Sequence, residues 1–154
     1  MAACHSDVRR GWSINDIGTH LFDTVCFITQ SDIVSAKAVF SSVRFNYETD
    51  DIFAGVLKLR NGAIGSIEAS TAIQGPETRL EVIGQSGSII ITESFNDRSS
   101  IAINGVDHGV VNEDGAYLAQ VDAFESLLTD RPSLIATLDD GLTNLKWVDE
   151  MIRS

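Results

Sequence analysis

The sequence is poor in positive charge and in long apolar runs, and each shortage excludes a class of partner. Eleven Lys and Arg residues stand against 22 Asp and Glu residues, so the formal net charge is −11. Such a surface repels a phosphate backbone and an anionic lipid headgroup, so we expect neither nucleic acid nor a membrane surface as a partner. The apolar runs also fall far short of the roughly 20 residues that a membrane-spanning helix needs.

Cysteine is scarce as well, being present only as Cys4 and Cys26. Two cysteines are too few for a disulfide framework, so we expect free thiols. The first residues lack the apolar segment of a secretory signal peptide, which predicts a cytoplasmic location. Residues 1–10 are predicted to form a loose N-terminal arm and 11–154 a single domain, since 154 residues is an ordinary domain length.

Several motifs that identify catalytic classes are missing. The sequence contains no CxxC or HExxH for a metal, no GxSxG for a nucleophile, and neither GxGxxG nor GxxxxGK for a nucleotide. The Gly-containing segment 84–87 falls between two predicted strands, where a turn is the simpler interpretation. We therefore predict no metal site, and we do not expect the chain alone to bind a dinucleotide cofactor.

Helical periodicity is found at both ends of the chain. Apolar residues at steps of three and four predict one helix over about 16–30, a second from about 115 to Asp130, and a third over about 139–153. The predicted caps are Asn15 or Asp16 for the first helix and Thr137 for the third. The expected inner face of the third helix comprises Leu142, Leu145, Val148 and Ile152.

The middle of the chain, from about 33 to 113, has the pattern of strands. Six short segments rich in β-branched residues are separated by turn residues. Asn61-Gly62 and Asn104-Gly105 predict two-residue hairpin turns, and Gly84–Ser88 a longer one. Asp50 and Asp51 are interpreted as turn residues, like 113–115.

Strands in the middle and helices at the ends predict an α+β fold. We expect an open, mostly antiparallel sheet of about six or more strands, with helices packed on one face. Small residues such as Ser66, Ala69 and Ser70 suit packing of the open face against a second sheet. The pattern therefore predicts a homodimer or a higher homo-oligomer formed through that face.

The segment NDIGTHLFD, residues 15–23, holds the strongest candidates for chemistry. On an α-helix Asp16, His20 and Asp23 would lie within roughly 60° of one another. A histidine titrates near neutral pH, and a carboxylate one turn away can orient its ring. Spacing alone leaves other interpretations open. The acidic residues can be no more than a polar helix start, or Asp16 and His20 can bind a metal together with Cys4 or His5.

Arg9, Arg10 and Trp12 precede this segment closely enough to reach the same site. An Arg and a Trp can clasp a polyhydroxylated or anionic ligand by hydrogen bonds and ring stacking. The same residues can equally belong to a solvated arm. Arg10 and Trp12 are nevertheless included among the candidate substrate-binding residues.

The segment DIGTHLFD, residues 16–23, resembles the DxGxHxxD helix start of the Gfo/Idh/MocA family of NAD(P)-dependent oxidoreductases, which includes glucose-fructose oxidoreductase and inositol dehydrogenase. Further segments resemble the family in the same order, and together they extend from Gly11 to Ser154. They read ETDDIFAGVLKLRNGAIGSIEAS, LEVIGQSGSIII, AYLAQVDAFESLL and DDGLTNLKWVDEMIRS.

The resemblance implies a C-terminal substrate-binding and dimerisation domain, with the N-terminal Rossmann domain absent from this chain. The implied reaction transfers hydride between NAD or NADP and a sugar, cyclitol or nucleotide-sugar. The absent domain would bind most of the cofactor and supply a catalytic Lys, so this chain alone would be inactive. His20 would be the proton donor or acceptor and Asp16 its companion in binding substrate. The alternative is a non-catalytic module for self-association through the sheet or for binding a small polar ligand.

Overall fold

The computed structural model describes residues 11–44, 46, 48–73, 78–94, 98–112 and 115–154. A π-helical turn, Ile14–Gly18, leads into α1, Thr19–Thr29. The elements that follow are β1 (Ile33–Ser41), β2 (Ile52–Leu59), β3 (Ile64–Ser70), β4 (Arg79–Gly84), β5 (Gly87–Thr92), β6 (Arg98–Ile103), β7 (Val106–Asn112), α2 (Ala116–Leu128) and α3 (Leu138–Arg153). The α+β class predicted from the sequence is confirmed.

The strands form two meanders, and every strand pair that the structure describes is antiparallel. One sheet has the order β1-β2-β3 and the other the order β4-β5-β6-β7. The predicted antiparallel arrangement is therefore confirmed. Strand β7 is the partner that the predicted hairpin turn at Asn104-Gly105 requires, although it was not among the six segments identified, because Asp107, His108 and Gly109 interrupt its apolar alternation.

The hairpin turns agree only in part with their sequence signals. Asn104 and Gly105 both have positive φ, 52° and 76°, as the predicted two-residue turn requires. Asn61-Gly62 lies in a longer turn, in which the Leu59 amide donates to the Ala63 carbonyl at 2.9 Å. The two-residue prediction is wrong there. The turn after Gly84 is shorter than predicted, since Gly84 pairs directly with Gly87.

The chain divides into two compact units, Met1–Ile73 with Ala136–Ser154, and Gln74–Ile135. The first unit has a core in which α1 and α3 pack on one face of β1–β3, as predicted for the helices. Phe40 and Phe53 stack within it, with ring centroids 6.1 Å apart. The fully or nearly fully buried core residues are Ile14, Phe22, Ile33, Ala36, Phe53, Leu57, Leu59, Ile67, Trp147, Val148 and Met151.

Two predictions about buried faces need correction. On α3 the buried residues are Trp147, Val148 and Met151, whereas Leu142 and Leu145 are exposed. The predicted inner face is wrong in its first half, because only the last turns of α3 pack on the core. On β3, Ala69 lies against the core rather than with Ser66 on the open face.

The described residues of the second unit form no apolar core of this kind. None of the apolar side chains described between 78 and 135 is buried. On α2, Tyr117, Leu118, Val121, Phe124, Leu127 and Leu128 are all exposed. None of the helices in the described part of the chain is long and apolar enough to cross a membrane.

Candidate functional site

The candidate residues lie at the start of the first helical segment, which begins one turn earlier than predicted. Gly11 has φ +131°, a conformation that favours glycine, and helical backbone follows from Trp12. Asn15 and Asp16 are therefore inside the helical segment, and their predicted role as N-caps is wrong. Asn15 instead makes hydrogen bonds back to the Gly11 carbonyl through its backbone amide, at 3.1 Å, and through its side chain.

The carboxylate of Asp50 caps this helix start from a distant part of the chain. It accepts hydrogen bonds from the backbone amides of Gly11, Trp12, at 3.2 Å, and Ser13, at 3.0 Å, and from the Ser13 hydroxyl. The first amides of a helix have no partner within the helix, and a negative charge beside them is stabilising. Asp50 lies in the connection before β2, but it is 1% exposed and binds a distant helix start, a role that its interpretation as a turn residue did not include.

Asp16 and His20 are both exposed at this helix start. Asp16 lies inside the π-helical turn and His20 is the second residue of α1. The prediction that Asp16, His20 and Asp23 lie on the same side of the helix assumed the α-helical angle between successive residues throughout. The π turn changes this angle between Asp16 and His20. Single π turns inside helices are frequent at functional sites. The π turn therefore favours a functional site in this stretch, independently of the spacing of Asp16 and His20.

Of the two other candidate substrate-binding residues, Trp12 lies within the described residues and Arg10 does not. Trp12 is 56% exposed, and its backbone amide is bound by Asp50. It therefore stands one turn before Asp16, with its ring accessible to a ligand. Arg10 lies outside the described residues, as do Arg9, His5 and Cys4.

The buried side of the same segment is tightly packed. Ile14 and Phe22 are fully buried, and a Cβ added at Gly18 would lie 2.7 Å from Ile14 Cγ1 and 3.2 Å from Phe53 Cζ. Glycine at position 18 therefore lets the helix approach β2 closely. This packing fixes the inner face of the segment while its outer residues stay accessible.

Cys26 lies further along α1 and is not an activated nucleophile. Burial raises the pKa of its thiol, a hydrogen bond with the Ile33 backbone opposes that shift, and the carboxylates of Asp32, Asp23 and Asp140 raise the pKa further. A thiol with a raised pKa stays protonated at neutral pH.

The described residues offer neither a metal centre nor a dinucleotide fold. Among them, no group of three or more His, Cys, Asp and Glu side chains is placed to hold a metal ion. The sheets are antiparallel where the structure describes them, so they supply no parallel strand–helix–strand unit for a nicotinamide cofactor. The described residues therefore do not form the unit that usually holds such a cofactor.

The arrangement supplies an accessible imidazole and an accessible carboxylate on a fixed helix start. It can therefore bind hydroxyl groups and exchange a proton with one of them. The sequence predicted these two residues as site residues but indicated neither the π turn nor the role of Asp50. The two adjacent carboxylates before the apolar strand in TDDIFAGVLKL are visible in the sequence, but they do not indicate which distant residues Asp50 binds.

Comparison with known proteins extends this description. A family model for the GFO/IDH/MocA C-terminal domain matches residues 5–90. Aldose-aldose oxidoreductase from Caulobacter crescentus, complexed with glycerol, has a TM-score of 0.76 and 24% identity, over 93% of this chain and 45% of its own. UDP-N-acetylglucosamine 3-dehydrogenase GnnA from Acidithiobacillus ferrooxidans has a TM-score of 0.73 and 20% identity, over 97% of this chain and 47% of its own.

A third solved structure contains a cofactor and a sugar nucleotide. WlbA dehydrogenase from Bordetella pertussis, in complex with NADH and UDP-GlcNAcA, has a TM-score of 0.62 and 16% identity, over 94% of this chain and 43% of its own. At such identities the structural likeness establishes the fold alone. The chain spans about half the length of these three proteins.

Proposed function

Because the chain belongs to the GFO/IDH/MocA C-terminal domain family, we propose that it is the substrate-binding half of a nicotinamide-dependent oxidoreductase. The substrate class is a sugar, a cyclitol or a nucleotide-sugar, and the location is the cytoplasm. The observation that carries the proposal is the exposed pair Asp16 and His20 on a helix start held by Asp50. NAD or NADP is held mainly by a separate Rossmann domain, which also supplies the catalytic Lys.

Each residue has a distinct role in this proposal. His20 gives a proton to, or takes one from, the oxygen of the substrate carbinol or carbonyl, since imidazole can do both near neutral pH. Asp16 accepts hydrogen bonds from substrate hydroxyls beside it. Trp12, exposed one turn earlier, stacks on the ring of a polyhydroxylated ligand, and Arg10 contributes hydrogen bonds or charge.

The decisive test replaces His20 in the oxidoreductase that contains both halves. His20→Ala should lower kcat by about 10² to 10⁴, the usual contribution of a general acid–base residue. His108→Ala is the matched control, because His108 is an exposed histidine on β7 of the second unit. Near-normal turnover of His20→Ala would contradict the proton-transfer role.

A second test concerns the chain alone. We expect no dehydrogenase activity and no measurable NAD(P) affinity in calorimetry, because the described sheets lack a dinucleotide fold. Tight stoichiometric binding of NADH or NADPH to the purified chain would contradict the assignment of the cofactor to another domain.

We also propose a second function, self-association through the sheet. This function would hold even if the chain had no catalytic role. Exposed apolar residues on the open face of the first sheet, such as Val39 at 73% and Val56 at 57%, favour burial against another copy. We therefore expect a homodimer or a higher homo-oligomer. Sedimentation velocity should show it at micromolar concentration, and Val56→Lys should weaken it. A monomer at all concentrations would contradict this part of the proposal.

A further inference from the structure

Asp50 and Asp51 are adjacent and equally buried carboxylates that bind different parts of the chain. Each is 1% exposed. Asp50 binds the three amides and the hydroxyl at the helix start, whereas Asp51 binds the amides of Val43, at 2.9 Å, and Arg44, at 3.0 Å, after β1. The effect of removing the Asp50 charge can therefore be compared with the effect of removing the neighbouring, equally buried Asp51 charge.

The backbone of this dipeptide is fixed by both neighbouring strands. The Asp51 amide donates to the Ser41 carbonyl at 3.0 Å, and the Asp51 carbonyl accepts from the Thr71 amide, also at 3.0 Å. The Ser70 hydroxyl donates to the same carbonyl at 2.9 Å. Because β1, β2 and β3 all restrain this point, the Asp50 carboxylate has a defined place relative to the first sheet.

We propose that Asp50 is a positioning residue for Asp16 and His20. It holds the first amides of their helical segment on the sheet, so that the outer face of the π turn keeps one orientation. The inference rests on the proposed function of that pair. Without the carboxylate, the first turn would lose four hydrogen bonds and fray, as unpartnered helix starts do. Asp16 follows only three residues after the last of these bonds.

The test compares Asp50→Asn with Asp51→Asn in the 154-residue chain. Asparagine keeps the size of the side chain and one acceptor oxygen. It replaces the second oxygen with an NH2 group, which cannot accept a hydrogen bond from a backbone N–H. In Asp50→Asn, amide hydrogen exchange at 11–18 should accelerate about tenfold or more, the loss expected for a cap. In Asp51→Asn the exchange rates of the same amides should change by less than about twofold. The exchange rate of the Leu57 amide in the core corrects both variants for a change in global stability.

Two outcomes of this measurement would overturn the proposal. One is an equal acceleration at 11–18 in both variants, and the other is no acceleration in Asp50→Asn. If Asp50→Asn does not fold, Ser13→Ala decides, because it removes only the hydroxyl bond to the same carboxylate. We expect about threefold faster exchange at 12–18 in Ser13→Ala, and unchanged exchange would overturn the proposal.

Activity separates positioning from mere stability. In the oxidoreductase that contains both halves, Asp50→Asn should lower kcat about tenfold and raise KM by less, because misplacement of the acid–base group His20 affects the chemical step most, whereas misplacement of Asp16 weakens substrate binding. Asp51→Asn should keep kcat within about twofold. If His20→Ala lowers kcat but Asp50→Asn does not, the positioning role is overturned and the proposed function stands. If neither variant lowers kcat, the proposed function fails, and there is no catalytic pair for Asp50 to position.

Discussion

The two units contain similar apolar strands and helices, but among the described residues apolar side chains are fully buried in the first unit and none is in the second beyond residue 77. In the first unit Phe22, Phe53 and Met151 are at most 1% exposed. In the second, Ile83 on β4, Val106 on β7 and Tyr117 on α2 are 77%, 60% and 86% exposed. An amphipathic pattern therefore specifies the element but not the surface that covers its apolar face. The proposed catalytic pair belongs to the unit with the core, where a fixed geometry can be maintained.

The largest difference between the units should appear when a phenylalanine is truncated. Phe53→Ala should lower the free energy of unfolding by about 3–5 kcal/mol, because it leaves a cavity between the helices and β2. Phe124→Ala on α2, where the side chain is 51% exposed, should cost less than about 1 kcal/mol in dilute solution. Urea unfolding followed by circular dichroism measures both. A comparable loss in the two variants would show that α2 is covered in solution.

The protein concentration sharpens this comparison. If another copy covers α2, the cost of Phe124→Ala should grow as the concentration rises, because association stabilises the folded state by mass action. The cost of Phe53→Ala should not depend on concentration in this way. A concentration-independent cost for both variants would exclude α2 from the interface.

The second prediction contrasts two helical glycines. Gly18→Ala should destabilise by about 1–3 kcal/mol, since the added methyl would lie 2.7 Å from Ile14 Cγ1 in a packed core. Gly141→Ala on α3 meets nothing within 4 Å and should stabilise by roughly 0.5–1 kcal/mol through the better helix propensity of alanine. Thermal unfolding of both variants provides the measurement. Effects of the same sign would contradict the close approach inferred at Gly18.

Local features of the fold were predictable wherever a short pattern determines them. The helix over Ala116–Leu128 and the cap at Thr137 followed from periodicity and cap chemistry. The Asn104-Gly105 turn followed from the left-handed backbone that this dipeptide tolerates. The exposed face of α2 was not predictable, because the stripe on which Tyr117 and Phe124 lie would look the same if it were buried.

The candidate site was predictable only in part, for a related reason. Asp16 and His20 are close in sequence, so their spacing and the family resemblance were enough to propose them. Asp50 acts on residues 37 to 39 positions away, and no short pattern encodes such a pairing. The π turn was not predicted either, because the apolar spacing from Ile17 to Ile28 is that of an ordinary α-helix.

The smallest predicted effect concerns α3, whose first half lacks a buried apolar face. Leu138 and Leu142 are 88% and 65% exposed, so local capping matters more there than at the packed end. The Thr137 backbone amide and hydroxyl donate to the Asp140 carboxylate at 2.7 Å and lower its pKa. A lowered folded-state pKa contributes stability that is present above the ordinary aspartate value and is lost as the pH falls below it, under about pH 4.

The urea midpoint of Asp140→Asn should therefore lie slightly below that of the wild type at pH 6, and the difference should shrink toward pH 3, as protonation begins to remove the charge of Asp140. The expected difference is small because Asp140 is exposed and water screens its charge. Asp139→Asn is the control, since Asp139 lies in the same first turn but outside the capping box. An equal difference at both pH values, or the same pH dependence in Asp139→Asn, would show that the Asp140 charge contributes nothing specific. The first half of α3 would then need another source of stability, such as burial of Leu138 and Leu142 against a partner surface.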